Sequence, residues 1–205
     1  MLIYVIRHGQ TDWNAEGRLQ GQKDIPINAI GRGQATRNGE ALRELVGSAD
    51  GFDFVASPLS RTRETMERIR TAMGLHPMDY RTDERLRELS FGDWEGFTTA
   101  EIKKTTPDRL RERSRNKWSF IPPGEDAESY EILSWRIGAW LASLKGPTIS
   151  VSHGGVVRSL FRIVGNVDEH EAANMPIHQD RIVRIEISDD ETGEDTIAKS
   201  TIAWI

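Results

Sequence analysis

Two of the chain's five histidines stand in the same local wording: Arg7-His8-Gly9 follows the apolar run 2–6, and His153-Gly154-Gly155 follows the run 148–151. A third segment, Ser57 to Arg61, follows a similar run at 52–56. Short, apolar, β-branched runs of this kind read as strands buried on both faces. In an open α/β sheet, ligands bind beyond the carboxyl ends of the strands. If these strands are parallel neighbours, His8, His153, Arg7 and Arg61 meet in one crevice, joined by the N–H donors of helix N-termini. Such a pocket suits a small anion, most simply phosphate. One histidine at a strand end is usually a hydrogen-bonded structural residue, and one arginine is usually half of a surface ion pair. Two His-Gly pairs and two arginines at equivalent strand ends are not accounted for in that way. Metal ligation is the rival reading. The neighbouring arginines repel a cation, and no His-x-His or His-x-x-x-His spacing occurs.

A neutral imidazole can accept a phosphoryl group and so divide one difficult transfer into two easier ones. Guanidinium groups must then hold the phosphoryl oxygens, over which charge spreads in the transition state. A further group must protonate the departing alkoxide and later activate water. A carboxylate from the irregular, highly charged stretch 82–123 is expected there, and composition alone does not choose among its many acids.

The elements that must position these residues alternate between strand and helix. Helical spacing covers 31–46, and a helix after the second strand is expected to run to Gly74, with Ser57 as its N-cap and Pro58 at its first position. Shorter helices are expected at 98–104 and from Pro107 to about Arg113. Pro122-Pro123-Gly124 is a break. An amphipathic helix over 129–144 is expected to turn Ile132, Trp135, Trp140 and Leu144 inward. A helix over 156–164 ends at Gly165, and the segments 181–188 and 196–202 read as a hairpin across the turn-rich DDETGED. The pattern predicts an α/β fold in three layers, with a mostly parallel central sheet flanked by helices. Residues 1–205 are read as one domain, with about 85–130 forming an irregular, helical lid insertion over the active site.

Composition narrows the function further. The chain has 205 residues, enough for a sizeable core, and no cysteine, which rules out disulfides, thiol nucleophiles and thiolate metal sites. Its formal net charge of −5 argues against a general nucleic-acid binder. No apolar run approaches the length of a membrane span, and the start lacks a basic signal-peptide region. A cytoplasmic protein is expected, without membrane or nucleic-acid partners; a homodimer stays open, because no pattern bears on oligomeric state.

The whole constellation resembles the histidine phosphatase superfamily, the phosphoglycerate mutase-like proteins with an RHG motif. Arg7-His8-Gly9-Gln10-Thr11-Asp12-Trp13-Asn14 is similar to the family's signature, and Leu19-Gln20-Gly21 with Asp24-Ile25-Pro26-Ile27 to its substrate-proximal loop. Ser57-Pro58-Leu59-Ser60-Arg61-Thr62-Arg63-Glu64-Thr65 resembles the second motif. The stretch from Leu86 to Gly96 resembles the acid segment, and Ser152-His153-Gly154-Gly155 the second His-Gly. The resemblance implies a phosphoglycerate mutase-like fold in which His8 becomes phosphohistidine. It implies Glu88 as the proton donor and later base, chosen over Glu84 and Glu95 through the Leu-x-Glu-x-x-x-Gly pattern of Leu86 and Gly92. Arg7, Arg61 and His153 would surround the phosphoryl group, with Asn14 donating to it and Gln20, Gly21 and Gly154 also at the phosphate or substrate. No metal and no organic cofactor is implied.

Within that resemblance the phosphatase branch is favoured over the mutases. The stretch between Glu88 and His153 is short, and Thr99 stands where the mutases carry a substrate-binding lysine, with Lys103 and Lys104 one turn further on. The expected activity is metal-independent hydrolysis of a small phosphorylated metabolite. The alternatives are a cofactor-dependent phosphoglycerate mutase and a non-catalytic phospho-ligand binding protein on the same fold. The intact acid at Glu88 counts against the latter.

Overall fold

The structure is a computed structural model that describes residues 1–187 and 200–205. The chain runs β1 (Leu2–Arg7), α1 (Asp12–Ala15), α2 (Ala29–Val46), β2 (Asp53–Ala56), α3 (Ser60–Ala72) and β3 (Arg81–Thr82). It continues through α4 (Thr99–Thr105), α5 (Pro107–Arg115), α6 (Tyr130–Ala142), β4 (Thr148–Ser152), α7 (Gly154–Gly165), α8 (Glu169–Asn174), β5 (Ile182–Glu186) and β6 (Thr201–Trp204). The six strands form one sheet in the order β3-β2-β4-β1-β5-β6. The first four are mutually parallel, and β5 and β6 are antiparallel additions at one edge. β5 and β6 pair antiparallel as the expected hairpin requires; the expected strand residues 188 and 196–199 and the DDETGED turn between them lie outside the described residues.

Alternation along β1 explains the layering. Ile3 and Val5 point into one core with the inner residues of α6 and α7, whereas Tyr4 and Ile6 point into the other with Leu42 of α2 and Met66 and Ile69 of α3. A strand apolar on both faces needs helices on both sides, and the result is a sheet between two helical layers. The first core extends into the segment over the sheet's end, where Trp94 stacks on Phe120 and Trp118 on Tyr130.

Two local expectations are corrected. Ser57 does not cap a helix: α3 starts at Ser60, its N-cap is Leu59 without a side-chain bond, and the Ser57 hydroxyl turns toward His153 instead. Helix α6 is rotated relative to the expected face, burying Tyr130, Leu133, Ile137, Trp140 and Leu141, while Trp135 is 68% exposed. Both Leu133 and Trp135 fit an apolar stripe, so the apolar pattern alone left the facing side open by part of a turn.

Gly9 earns its place after His8 through packing. A Cβ on Gly9 would sit 2.3 Å from the Gly31 carbonyl oxygen, and a Cβ on Gly31 only 2.2 Å from that of Gln10. The first turn of α2 is thus pressed against the chain leaving β1. Alanine normally improves a helix over glycine by about 1 kcal/mol. Gly31→Ala is expected to act in the opposite sense, destabilising by about 1–3 kcal/mol through backbone overlap, read as a lower urea midpoint; a raised midpoint contradicts this packing.

Candidate active site

The carboxyl ends of β1 and β4 lie side by side, with Arg7 paired in register to Ser152 and the His8 N–H donating to the Ser152 carbonyl (2.9 Å). The two His-Gly segments are therefore brought together by parallel pairing, and the two imidazoles stand edge to face with centroids 5.2 Å apart. Strand β2 flanks β4 on its other side and delivers Ser57 and, from the start of α3, Arg61.

A cleft of about 150 Å³ opens at this point, walled by Arg7, His8, Asn14, Gln20, Gly21, Arg61, Glu88 and Gly154. Arg18, Leu19, Phe91 and Arg158 complete it. A larger cavity of about 820 Å³ lies elsewhere, by the amino-terminal side of β2 and β3. Size does not favour it, because its Arg81 is paired to Asp53 and none of the strand-end groups reaches it.

His8 Nδ1 lies 2.8 Å from the Gly9 carbonyl oxygen. A carbonyl only accepts, so Nδ1 carries the proton and Nε2 keeps its lone pair. Burial, and then the Arg61 and Arg7 charges, push the imidazole's pKa well below its ordinary value, against a smaller opposing effect of the Gly9 bond. The ring is thus neutral at physiological pH, with an unprotonated nitrogen. His153 is also pushed well below its ordinary value, by burial first and then by Arg61. Its two nitrogens are spent on protein: Arg61 Nε donates to Nδ1 (3.3 Å), and Nε2 lies 2.8 Å from the Ser57 hydroxyl. His153 is 0% exposed and stands behind the cleft wall, where Gly154 takes its place.

The two arginines remain cationic although burial lowers each from its ordinary value to about 10. Arg61 also holds the loop after α1, donating to the carbonyls of Lys23 and Gly21 (both 2.6 Å). Gly21 has φ +51°, and a Cβ there would strike the Glu95 carboxylate. Arg7 donates from one terminal nitrogen to the Ile177 carbonyl (2.8 Å), while its buried Nε has no protein partner, nor has Gln20 Oε1. Asn14 Oδ1 accepts from the Thr11 N–H (3.1 Å), the Thr11 hydroxyl (3.2 Å) and Gln179 Nε2 (3.1 Å), which leaves its amide hydrogens as the end available to a ligand.

Of the three glutamates weighed, the structure puts one in the cleft. Glu84 is paired to Arg87 and exposed. Glu95 accepts from the Gln22 and Phe91 N–H groups and ties two loops together. Glu88 Oε1 accepts from Leu89 (2.9 Å) and Gly155 (3.0 Å), the latter at the start of α7; Oε2 has only the shared Gly155 contact at 3.1 Å. Arg136 secures this loop, donating to the carbonyls of Arg85, Arg87 and Glu88 while paired to Glu128.

Arg158, in the cleft wall, and Gln179, bonded to His8, are not marked by the motifs. Arg158 lies one helical turn beyond Gly154, so the i, i+4 rule could have found it. Gln179, which ties His8 and Asn14 together through the His8 carbonyl (3.1 Å), gives no sequence signal. Lys103 and Lys104 lie exposed in the last turn of α4 and do not line the cleft. His178 sits against Trp204, and His76 and His170 are exposed. Among the described residues, no group of three His, Asp or Glu side chains is placed to hold a metal.

A strand-end cleft walled by a neutral histidine, two arginines and a carboxylate has the make-up of a phosphoryl-transfer site. The chain belongs to the histidine phosphatase superfamily (branch 1), whose family model matches residues 3–198. It is 40% identical over 164 residues to the probable phosphoglycerate mutase GpmB of Citrobacter koseri, covering 74% of this chain and 69% of that protein. It is 33% identical over 172 residues to glucosyl-3-phosphoglycerate phosphatase of Mycobacterium tuberculosis, covering 77% and 72% respectively. The solved structure of the mycobacterial glucosyl-3-phosphoglycerate phosphatase superposes with a TM-score of 0.77 at 27% identity, covering all of this chain and 95% of that one. No helix among the described residues is long and apolar enough to cross a membrane.

Proposed function

We propose that the protein is a metal-independent phosphomonoesterase that hydrolyses a small phosphorylated metabolite through a phosphohistidine. The observation that carries this reading is the His8 ring, held by Gly9 with its Nε2 lone pair free in a cleft that also contains Arg7, Arg61 and Glu88. His8 Nε2 attacks phosphorus, forming the P–N bond as the P–O ester bond breaks. Glu88, protonated on Oε2, gives its proton to the leaving oxygen. Water then attacks phosphorus from the vacated side, Glu88 takes its proton, and the P–N bond breaks to release phosphate and restore neutral His8. Arg7 and Arg61 hold the phosphoryl oxygens with Asn14, and Gln20, Gly21 and Gly154 shape the bed around them. His153 acts through Arg61, whose Nε–H donates to its Nδ1 and so fixes the tautomer in which Nε2–H donates to the Ser57 hydroxyl.

Hydrolysis is preferred to mutase chemistry because no lysine lines the cleft, although a probable mutase is among the relatives. The test is a panel of phosphate monoesters assayed for free phosphate in the presence of a chelator, beside an assay of 3-phosphoglycerate isomerisation with 2,3-bisphosphoglycerate. Phosphate release is expected to dominate. Isomerisation stimulated by the bisphosphate and faster than hydrolysis overturns the reading in favour of a mutase; stoichiometric phosphate binding with no turnover overturns it in favour of a binding protein.

A further inference from the structure

The loop that carries Glu88 has no regular element to hold it. Residues Glu84–Leu86 make a single 3-10 turn, and among the described residues the carbonyls of Arg85, Leu86, Arg87 and Glu88 accept no backbone N–H. Carbonyls drawn away from water need donors from elsewhere. Three side chains distant in sequence supply them. The Ser152 hydroxyl, at the end of β4, donates to Leu86 (2.8 Å), and Gln22 Nε2, from the loop after α1, donates to Glu88 (3.2 Å). The other bonds come from Arg136 in α6.

Arg136 uses every donor it has on this stretch and its brace. One terminal nitrogen donates to the Arg85 and Arg87 carbonyls (both 2.7 Å). The other donates to the Glu88 carbonyl (3.2 Å) and to Glu128 Oε2 (2.7 Å), and Nε donates to Glu128 Oε1 (3.0 Å). A guanidinium has five N–H groups, so none is left over. Glu128 in turn grips the far side of the acid: its Oε2 accepts from the Ser90 N–H (3.1 Å), and its own N–H donates to the Ser90 carbonyl (3.0 Å). The chain is thus pinned at 85, 87, 88 and 90. The pair is largely buried, and burying two charges adds little stability by itself. What a rigid, saturated fork supplies is a fixed position. The Glu88 carboxylate otherwise has only the Leu89 and Gly155 N–H groups to hold it.

We propose that Arg136, braced by Glu128, is a positioning residue for proton transfer, setting the distance from the Glu88 carboxyl to the leaving oxygen while touching neither. This rests on the reading of Glu88 as acid and base. The bonds made and broken at phosphorus are unchanged. The step governed is the passage of the Glu88 Oε2 proton to the departing alkoxide, and later of a water proton back to that carboxylate.

The test follows the phosphorylation step in single turnover with two esters: glycerol 3-phosphate, whose alkoxide needs a proton, and para-nitrophenyl phosphate, whose nitrophenolate does not. Arg136→Gln is expected to lower the first rate by about 10–100-fold, as a displacement of about 1 Å can. The second rate falls far less, so the ratio of the two drops about tenfold. Arg136→Lys keeps the charge with three donors and is expected to recover part of the ratio. Ser152→Ala frees only the Leu86 carbonyl and is expected to move the ratio the same way by about threefold, the weight of one hydrogen bond; it carries the test if the Arg136 variants do not fold. A merely structural role lowers both rates together, and a ratio unmoved in Arg136→Gln and Ser152→Ala overturns the assignment while the phosphatase reading stands. The Gly155 amide proton reads the same placement without turnover, because the first turn of α7 offers it no intrahelical acceptor. Its resonance is expected to move in Arg136→Gln in the direction that Glu88→Ala moves it. If wild type does not turn over both esters, that resonance decides alone: a shift upholds Arg136 as the residue that places Glu88, and an unmoved signal overturns it. The phosphatase reading fails separately, if no monoester leaves a label on His8.

Discussion

His8→Ala is expected to lose on the order of 10⁴-fold or more in turnover, because the group that accepts the phosphoryl moiety is removed rather than weakened. The fold should survive: the ring bonds only to its own neighbour's carbonyl, and the backbone pairing to Ser152 does not involve the side chain. A shared thermal midpoint within a few degrees checks this. Wild type quenched during turnover of a radiolabelled monoester is expected to carry an acid-labile, base-stable phosphoryl label that the variant lacks. The pH profile adds a second reading. Burial and the two arginines lower the His8 pKa, so the neutral ring persists as pH falls through the ordinary histidine value near 6.5. The acid limb of kcat/KM, corrected for the monoester's own ionisation, is therefore expected below that value. A limb near 6.5 or higher assigned to His8, or a His8→Ala enzyme running at the wild-type rate, removes the mechanism.

Glu88→Gln is expected to cost about 10²–10⁴-fold on alkyl phosphates, the range of a positioned general acid and base. The loss should be much smaller for para-nitrophenyl phosphate in the first step, because nitrophenolate leaves without a proton. The two steps then separate: the variant releases nitrophenolate in a burst and accumulates phosphohistidine, since water lacks its base. The amide can still accept the Gly155 N–H that Oε1 takes in wild type, so the loop's position should be preserved. Equal rates for Glu88→Gln and wild type on an alkyl phosphate would transfer the acid role elsewhere, and neither Glu84 nor Glu95 is placed to take it.

How much of this was legible beforehand depended on whether the signal was local. The strands at β1, β2 and β4 are short β-branched runs that no partner needs to reveal, and the glycines and polar residues at their ends mark where the chain turns. The helices α2, α4, α5 and α7 follow from spacing and end signals to within a few residues. A Ser-Pro pair before a helix has the local make-up of a cap, but the Ser57 hydroxyl is claimed by His153, 96 positions away. Trp135 lies on an apolar stripe and reads locally as core, yet it is exposed, because the sheet that selects the buried face lies elsewhere in the chain.

The sequence by itself determined that an α/β sheet carries two His-Gly pairs and two arginines at strand ends, that no thiol chemistry is available, and that the motifs fall in the order of one superfamily. These are statements about composition, period and order, which the chain carries in one dimension. Tertiary structure alone decided that His8 keeps Nε2 free while both His153 nitrogens are consumed, and that Glu88, which the motif pattern already singles out, is held by the Gly155 N–H at the start of α7. The His153 bonds reach Ser57, 96 positions away, and Glu88 reaches Gly155, 67 away, whereas His8 Nδ1 is held by the carbonyl of its own neighbour and only the room left around its Nε2 depends on distant segments. The protonated nitrogen of a ring and the partner of a carboxylate are set by which donors and acceptors surround it, and those surroundings exist only once the sheet has brought distant strand ends together.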